Sequence, residues 1–348
     1  MEQTVIFPSG SVQYFHSVQL EELLENYKGR DIIFLTDSNI AALYPQFFAG
    51  KKTVVILPGE TNKNLNTIDD VGRQMLQYEA TRNTLLLGIG GGMVTDITGL
   101  AAATYMRGIA AAFVPTTLLG MADAAIGGKN GVNSGVYKNM IGTIRQPEFI
   151  AYDIRFLKTL PDDEWSNGFA EIIKYACLFD TELFETLSAK NINWFKTHSD
   201  DLQSVINTCV YWKNKTVAED EHESGMRKLL NFGHTAAHAI ENLYGLPHGK
   251  AVSIGMVIAA TLSEQLTGFG ADDTLRLKKL LMQYNLPISY PIDSKKAVDI
   301  LKMDKKRNNN TISYILLNNI GIATIKALPF DILEKAIETC ALQYSREQ

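Results

Sequence analysis

Cysteine is scarce in this 348-residue chain: Cys177, Cys209 and Cys340 stand far apart and form no C-x-x-C pair. That spacing excludes a thiolate zinc cage and a disulfide framework, and fits free thiols in a reducing compartment. Long uncharged apolar runs are lacking too. The most apolar region, 84–126, is broken by Asp96, Arg107 and Asp123, so nothing reaches the ~18 uninterrupted residues of a membrane helix. The opening MEQTVIFPSG has no basic flank ahead of an apolar stretch, and no secretory leader is expected. Positive charge is not in excess. A net charge of −5 argues against a general nucleic-acid or membrane-surface binder and leaves room only for locally basic pockets. The expectation is a cytoplasmic protein without a nucleic-acid or membrane partner. Fixed-period repeats and low-complexity segments are also missing, which excludes solenoids and disordered tails.

What is present is an ordinary globular composition, 46% hydrophobic and 20% charged, at a length that suits two domains. The first third alternates short apolar runs, DIIFLTD (31–37), TVVILPGE (53–60), TLLLGIGGG (84–92) and AAAFVPTT (110–117), with helical patterns such as 66–80. Buried strands alternating with helices predict an α/β domain with a parallel sheet covered on both faces. Ligands in such sheets bind beyond the carboxyl ends of the strands. Three loops then become candidates: Asp37 to Asn39, Pro58 to Lys63, and Gly90 to Gly92. From about 160 helical patterns dominate (163–179, 200–219, 229–243, 249–268, 331–343), with TISYILL (311–317) as an isolated strand-like run. The expected division is 1–154, α/β and nucleotide-binding, and 155–348, mainly helical and holding metal and substrate.

Gly88 to Gly92 run from a strand into an amphipathic segment. Consecutive glycines admit a phosphate to backbone N–H groups at a helix N-terminus, or simply make a tight turn. The spacing is not the dinucleotide fingerprint, because Met93 stands at the third glycine position. Asp96, one turn in, suits the helix dipole and is either a cap or a functional carboxylate. The stretch 115–147 reads as a long polar loop with Asp123, Lys129, Lys138 and Asn139 among glycines. Loops of that length are usually functional, and its lysines suit phosphate oxygens; a solvated surface loop is the alternative.

Three of six histidines fall in LNFGHTAAHAIENLYGLPHGKAV (230–252). His234 and His238, four apart on one helical face, are the first candidates for metal ligands, with Glu241 nearby and His248 as a third. HTAAH lacks the internal glutamate of metalloproteases, so one of the pair could serve as an acid or base. A carboxylate should complete the set, and Glu171, three before Lys174 in GFAEIIKYACLFD, offers one; otherwise the two form a surface ion pair.

Together GGGMVTDITGLAAATYMRGI, PTTLLGMADAAIGGKNGVN, KNMIG, FLKTLPDDEWSNGFAEIIKYA, GMRKLLNFGHTAAHAIE and HGKAVSIGM resemble the 3-dehydroquinate synthases, sugar-phosphate cyclases, over roughly residues 30 to 320. The resemblance implies NAD⁺- and zinc- or cobalt-dependent conversion of 3-deoxy-D-arabino-heptulosonate 7-phosphate to 3-dehydroquinate and phosphate, in the shikimate route, by a homodimer. In that scheme the cofactor transiently oxidises a secondary alcohol, acidifying the adjacent C–H so that phosphate can leave, and is regenerated. The metal ligands carry over onto Glu171, His234 and His248, and His238 becomes a proton-handling neighbour. NAD⁺ would be held by Asp37, Asn39, Glu60, Lys63, the turn Gly92, Met93, Val94, Thr95, Asp96, then Thr116, Thr117, Asp123, Lys129, Lys138, Phe156, Thr159 and Leu160. Lys129, Asn139, Lys174 and Lys305 or Lys306 would gather round the phosphate. Lys213, Arg227, Asn231 and His238 would meet the carboxylate and hydroxyls, Asp123 the reacting carbon, and Arg107 the partner subunit's site. Ala124–Ala125, Ala237 and Asn308–Asn310 depart from the family pattern and remove none of these groups. The alternatives are a sister cyclase acting on sedoheptulose 7-phosphate and a metal-dependent polyol dehydrogenase.

Overall fold

A computed structural model describes residues 2–135, 137–304 and 311–347. The chain divides into two compact units, Met1–Glu164 with Lys213–His222, and Trp165–Trp212 with Glu223–Gln348. The expected boundary at 154/155 falls ten residues early. Phe156 explains the difference: it is buried among Leu20, Phe149 and Ala151 of the first unit and meets Tyr44 edge-on at 4.9 Å. The short helical stretch Ile154–Thr159 therefore stays with the sheet.

The first unit runs β1 (Glu2–Phe7), β2 (Gly10–His16), α1 (Leu20–Glu25), β3 (Ile32–Asp37), α2 (Ser38–Leu43), α3 (Pro45–Phe48), β4 (Thr53–Ile56), α4 (Leu65–Gln77), β5 (Leu85–Gly90), α5 (Gly92–Thr104), β6 (Ala110–Pro115), β7 (Lys129–Ser134), β8 (Tyr137–Ile144) and β9 (Phe149–Tyr152). Seven of these strands form one sheet, β1-β2-β9-β6-β5-β3-β4, parallel except for β1 against β2. Alternation along the strands splits the core: Ile33, Leu35 and Leu86 face α4 and α5, whereas Phe34, Leu85, Leu87 and Ile89 face α1 and Phe149. Each such side chain, fully buried, contributes about 1.5–3 kcal/mol, which is why these runs carry almost no polar residues. The order of connections reverses between β3 and β5, and at such a switch point the strand ends splay to leave a crevice for a ligand.

The stretch 115–147 is not a loop throughout. After a π-turn at Gly120–Ala124, β7 and β8 pair antiparallel with Lys129 opposite Ile144. Glycine disguises the hairpin: a Cβ on Gly142 would lie 2.3 Å from the carbonyl oxygen of Asn130. Close strand approach removes the side chains that would have marked a strand.

The second unit holds α6 (Asp162–Phe179, from Trp165 onward), α7 (Thr181–Ala189), α8 (Ile192–Thr197), α9 (Ser199–Glu219, to Trp212), α10 (His234–Tyr244), α11 (His248–Leu266), α12 (Ala271–Gln283), α13 (Ser294–Asp304) and α14 (Phe330–Glu347). Its strands β10 (Thr311–Asn319) and β11 (Ile322–Pro329) form an antiparallel pair. Fourteen residues of α6 are buried, from Trp165 to Leu178, so the segment carrying Glu171 and Lys174 is a core helix. No helix among the described residues is long and apolar enough to cross a membrane.

Candidate functional site

In the first unit, two expected loops flank the switch point at the ends of β3 and β5. Asp37 ends β3 and caps α2, its Oδ1 accepting from the Asn39 and Ile40 amides at 2.8 and 3.1 Å. The glycines after β5 seat α5 closely. A Cβ on Gly88 would fall 2.2 Å from Thr98 Oγ1 and one on Gly90 2.5 Å from Val94 Cγ2. The N-terminal turn of α5, Gly92 to Asp96, thus starts beside the strand end, with the Thr95 amide donating to Gly91 O at 3.1 Å and the amides before it lacking an intrahelical acceptor. Thr116, at the end of β6, is 2% exposed and its hydroxyl has no hydrogen-bond partner among the described residues. Buried hydroxyls are seldom left so, which makes this one available to a bound ligand. Thr117 accepts from the Gly120 amide at 3.0 Å, and Thr159 pairs with the Tyr44 hydroxyl at 2.9 Å.

Lys63 is the electrostatic centre of this unit. Its ammonium, 5% exposed, lies 2.5 Å from Asp96 Oδ2 and 2.6 Å from Asn139 Oδ1. Burial pushes the Asp96 carboxyl up to about 6 despite the opposing pull of Lys63. Asn139 thereby sits with Lys63 and Asp96. Asn133, not singled out in the sequence, organises the same corner. Its amide nitrogen donates to Lys63 O, its Nδ2 reaches Glu60 Oε1 at 3.0 Å, and its Oδ1 accepts from Asn139 N at 2.9 Å. Its only sequence signal was a polar residue among glycines. Asp123 pairs with Lys213 at 2.5 Å, both side chains largely buried. Lys129 and Lys138 are exposed, Leu160 follows the Ile154–Thr159 stretch, and Arg107 lies in a one-turn segment.

In the second unit three expected ligands converge. Glu171 Oε1 lies 3.2 Å from His234 Nε2 and 3.1 Å from His248 Nε2, and the three ligand atoms fall within 4.8 Å of one another. His238 is not in this set: its ring stands edge-on to His234 with centroids 5.9 Å apart. The i, i+4 pairing expected from spacing alone is therefore corrected, because the second histidine comes from the start of another helix. Glycines bring the two helix starts together. A Cβ on Gly255 of α11 would lie 1.9 Å from the carbonyl oxygen of Gly233, the residue that precedes α10 with φ +78°. Gly249 likewise packs on Asn167, next to which α6 carries Glu171.

Proton accounting identifies what the triad can hold. His234 Nδ1 faces the carbonyl oxygen of Phe232 at 3.1 Å and His248 Nδ1 faces Glu241 Oε1 at 2.8 Å. Both partners only accept, so each Nδ1 donates and each Nε2 is left facing the Glu171 carboxylate. Three electron pairs aimed at one point need protons or a cation between them. Burial opposes charge on Glu171, yet Lys174 and His234 hold its carboxyl well below the usual range. Burial lowers the pKa of His248, yet hydrogen bonds to Glu171 and Glu241 push it up to about 10. A divalent cation can take the place of those protons, and one carboxylate with two imidazoles is a catalytic zinc or cobalt donor set. Glu241 is the carboxylate behind a ligating histidine. Lys174, 1% exposed, is ion-paired with Glu171 Oε2 and lies over Tyr175; the surface ion pair considered for these two residues is a buried one. Arg227 is buried, and Asn231 donates to Glu223 at 2.5 Å. Lys305 and Lys306 lie outside the described residues.

The sequence matches the family description "3-dehydroquinate synthase N-terminal" over 53–167 and "3-dehydroquinate synthase C-terminal" over 168–307. A 3-dehydroquinate synthase of Nitrosospira multiformis is 37% identical over 335 residues, with 92% of each chain covered. Among solved structures, a 2-epi-5-epi-valiolone synthase of Streptomyces hygroscopicus with NAD⁺ and Zn²⁺ bound is 26% identical, with TM-score 0.87 and coverage of 98% of this chain and 99% of that one. A 2-deoxy-scyllo-inosose synthase complexed with carbaglucose-6-phosphate, NAD⁺ and Co²⁺ shares the fold at TM-score 0.86 and 24% identity, covering 98% and 100%. With both family regions matched in order and a relative this similar along nearly its whole length, the chain belongs to the 3-dehydroquinate synthase family.

Proposed function

We propose that this protein converts 3-deoxy-D-arabino-heptulosonate 7-phosphate to 3-dehydroquinate and inorganic phosphate, using NAD⁺ and one zinc or cobalt ion. The observation that carries the reading is the convergence of Glu171 Oε1, His234 Nε2 and His248 Nε2 on one point. Those residues would hold the ion, which when bound supplies Lewis acidity at vicinal hydroxyls. NAD⁺ would lie along Asp37, the Gly92–Asp96 turn, Thr116 and Lys63, with Asn39, Glu60, Thr117, Lys138, Phe156, Thr159 and Leu160 about it; when bound it supplies reversible hydride acceptance.

The chain's own groups do the rest. Thr116 offers a buried hydroxyl to a ligand, and Lys63 balances the charge of Asp96. Lys174 keeps Glu171 ionised, so the ligand carboxylate presents full charge. Glu241 fixes the His248 ring and tautomer. Lys129, exposed on the hairpin, and Asn139 would take the substrate phosphate, while Arg227, Asn231 and His238 would meet its carboxylate and hydroxyls. Lys213, held by Asp123, would add a fixed cation for the carboxylate. Fixed cations of this kind hold a flexible sugar phosphate in one geometry, which lowers the entropic part of the barrier.

The same reading makes the protein a cytoplasmic homodimer with Arg107 reaching the partner's site. Met106 and Arg107 both adopt left-handed φ, 47° and 68°. Such backbone costs about 1–3 kcal/mol per residue and collects at functional positions.

Phosphate release from the acid substrate, followed together with NADH absorbance and with sedoheptulose 7-phosphate in parallel, tests the proposal. Expected is stoichiometric phosphate from the acid alone with no net NADH. Phosphate from the heptulose alone moves the assignment to the sister cyclases, and lasting NADH without phosphate makes the protein a polyol dehydrogenase.

A further inference from the structure

Lys213 lies on the last turns of α9, in the segment Lys213–His222 that groups with the first unit, and two separate anchors tie that segment to the sheet. The first is next to it in sequence. The Tyr14 hydroxyl donates to Asn214 Oδ1 at 2.6 Å, a bond between residues 200 apart and fully buried. Tyr14 sits on β2, an inner strand of the sheet, and stacks in a ladder with His16 and Tyr152 of β9, so the donor is immobile. The second anchor lies just past the helix end. Glu221, 3% exposed, accepts from Ser9 N at 3.0 Å, Ser9 Oγ at 2.5 Å and Gln146 Nε2 at 2.8 Å. Ser9 is in the turn between β1 and β2, and Gln146 follows β8.

Neighbouring helical residues point about 100° apart, so clamping Asn214 fixes the rotation of the helix about its axis, and with it the direction of Lys213. Holding Glu221 fixes the position of the helix along that axis. With both set, the Lys213 ammonium arrives 2.5 Å from Asp123 Oδ1. We propose that Tyr14–Asn214 and the Ser9–Glu221–Gln146 cluster form a latch that places Lys213 at Asp123. Tyr14 and Glu221 are thus positioning residues for the cation that binds the substrate carboxylate. The role assigned to Lys213 rests on the proposed function; the latch itself does not.

Two readouts on the full-length, metal-loaded enzyme test it. The first is independent of activity: brief acetylation with acetic anhydride, with each lysine followed by mass spectrometry. Tyr14→Phe keeps the stacked ring and removes the donor. It should raise the labelling rate of Lys213 about threefold or more, since ion-paired, shielded amines react slowly, while Lys63, shielded in its own ion pair, stays at the wild-type rate. Unchanged Lys213 labelling, or an equal rise at Lys63, overturns the latch. Ser9→Ala, at an exposed turn residue, removes one donor to Glu221 and should give the same pattern more weakly, which covers a Tyr14→Phe chain that folds poorly. The second readout is kinetic. A carboxylate contact made equally in ground and transition states appears in KM, so Tyr14→Phe should raise KM about fivefold with little change in kcat. In a Lys213→Ala background that penalty should vanish, because the latch acts only through Lys213. Full additivity of the two substitutions overturns the proposal. A wild-type enzyme inert towards the acid substrate defeats the functional reading alone, and the labelling pattern still decides the latch.

Discussion

Glu241 touches no bound ion in the proposed site, and its removal gives the sharpest test of the metal reading. Its carboxylate is 3% exposed and holds His248 Nδ1 at 2.8 Å. Glu241→Ala takes the acceptor from the N–H of a half-buried ring and frees that ring to turn its Nε2 away from Glu171. Removing an acceptor behind a ligating histidine costs about 10–100-fold in metal affinity, or about 1.4–2.8 kcal/mol. Glu241→Gln keeps an oxygen acceptor of the same reach and loses only the charge, so it should fall near the tenfold end. His248→Ala, which removes a donor from the triad, should exceed both. The assay is competition between the protein and a fluorescent chelator for Zn²⁺ or Co²⁺, with thermal melts to check folding. Wild-type affinity in Glu241→Ala refutes the argument, because His248 would then need no orientation. A loss in Glu241→Gln as large as in His248→Ala refutes it too, by placing Glu241 among the ligands.

Asp96 gives a pH signature with a defined sign. Its folded pKa of about 6 lies above the ordinary 3.8, so the native state holds a proton that the unfolded chain has lost, and stability falls as pH rises through that window. Urea unfolding at pH 4 and pH 8 should show wild type losing at most about 3 kcal/mol more than Asp96→Asn over that range; parallel pH dependence in the two proteins defeats the assignment. Gly255→Ala drives a methyl into the Gly233 carbonyl and should cost about 1–3 kcal/mol of stability together with metal content by elemental analysis; a stable variant with full metal shows that the helices part freely. Lys129→Ala should leave metal content at the wild-type level while slowing phosphate release by about tenfold or more, and equal loss of both removes Lys129 from the phosphate.

Four of the parallel strands were plain in the sequence as apolar runs, which contain β3, β4, β5 and β6, whereas β9, parallel to β6, was not singled out. The N-terminal hairpin was not. Its strand β1 is an exposed edge, with Ile6 77% accessible, and β2 joins the parallel sheet through pairing with β9, over a hundred residues away. Nothing local announces a partner at that separation. The same blindness hid the change of unit inside α9: helical periodicity runs unbroken from Ser199 to Glu219, and periodicity reports that a helix has a buried face without saying what covers it. The division at 164/165 escaped for the related reason that Phe156 turns back to a core begun at Leu20.

At the site, residue types were legible and their grouping came from the family resemblance, not from spacing. Spacing paired His234 with His238 because a rule built on i, i+4 assumes that one helix supplies both ligands. Here α10 and α11 each supply one, from their first residues, and α6 the third. The local sequence did hold the geometric clue, in its glycines. Gly233 must take a left-handed φ, and Gly255 and Gly249 must lack a Cβ for the three helices to close on one another. Read as punctuation, these glycines mark helix ends; read as contact points, they say that neighbouring backbones approach within the radius of a methyl group. A small residue two turns into an apolar helix, far from any cap, has no local reason to be there, so it points to a close crossing. A crossing beside two histidines that each begin a helix points to ligands shared between helices. Applied to Gly99, the same argument explains why α5 can receive Asn130, whose Oδ1 would lie 1.8 Å from a Cβ there and whose Nδ2 ties the Gly128 and Arg145 carbonyls together at the base of the hairpin. Lys129 is therefore held by its neighbour: Gly99→Ala should slow phosphate release while sparing metal content, and Gly99→Ala with Asn130→Ala should recover melting temperature without recovering the rate. Recovery of both would mean that the hairpin holds its shape without Asn130, and that glycine there serves packing alone.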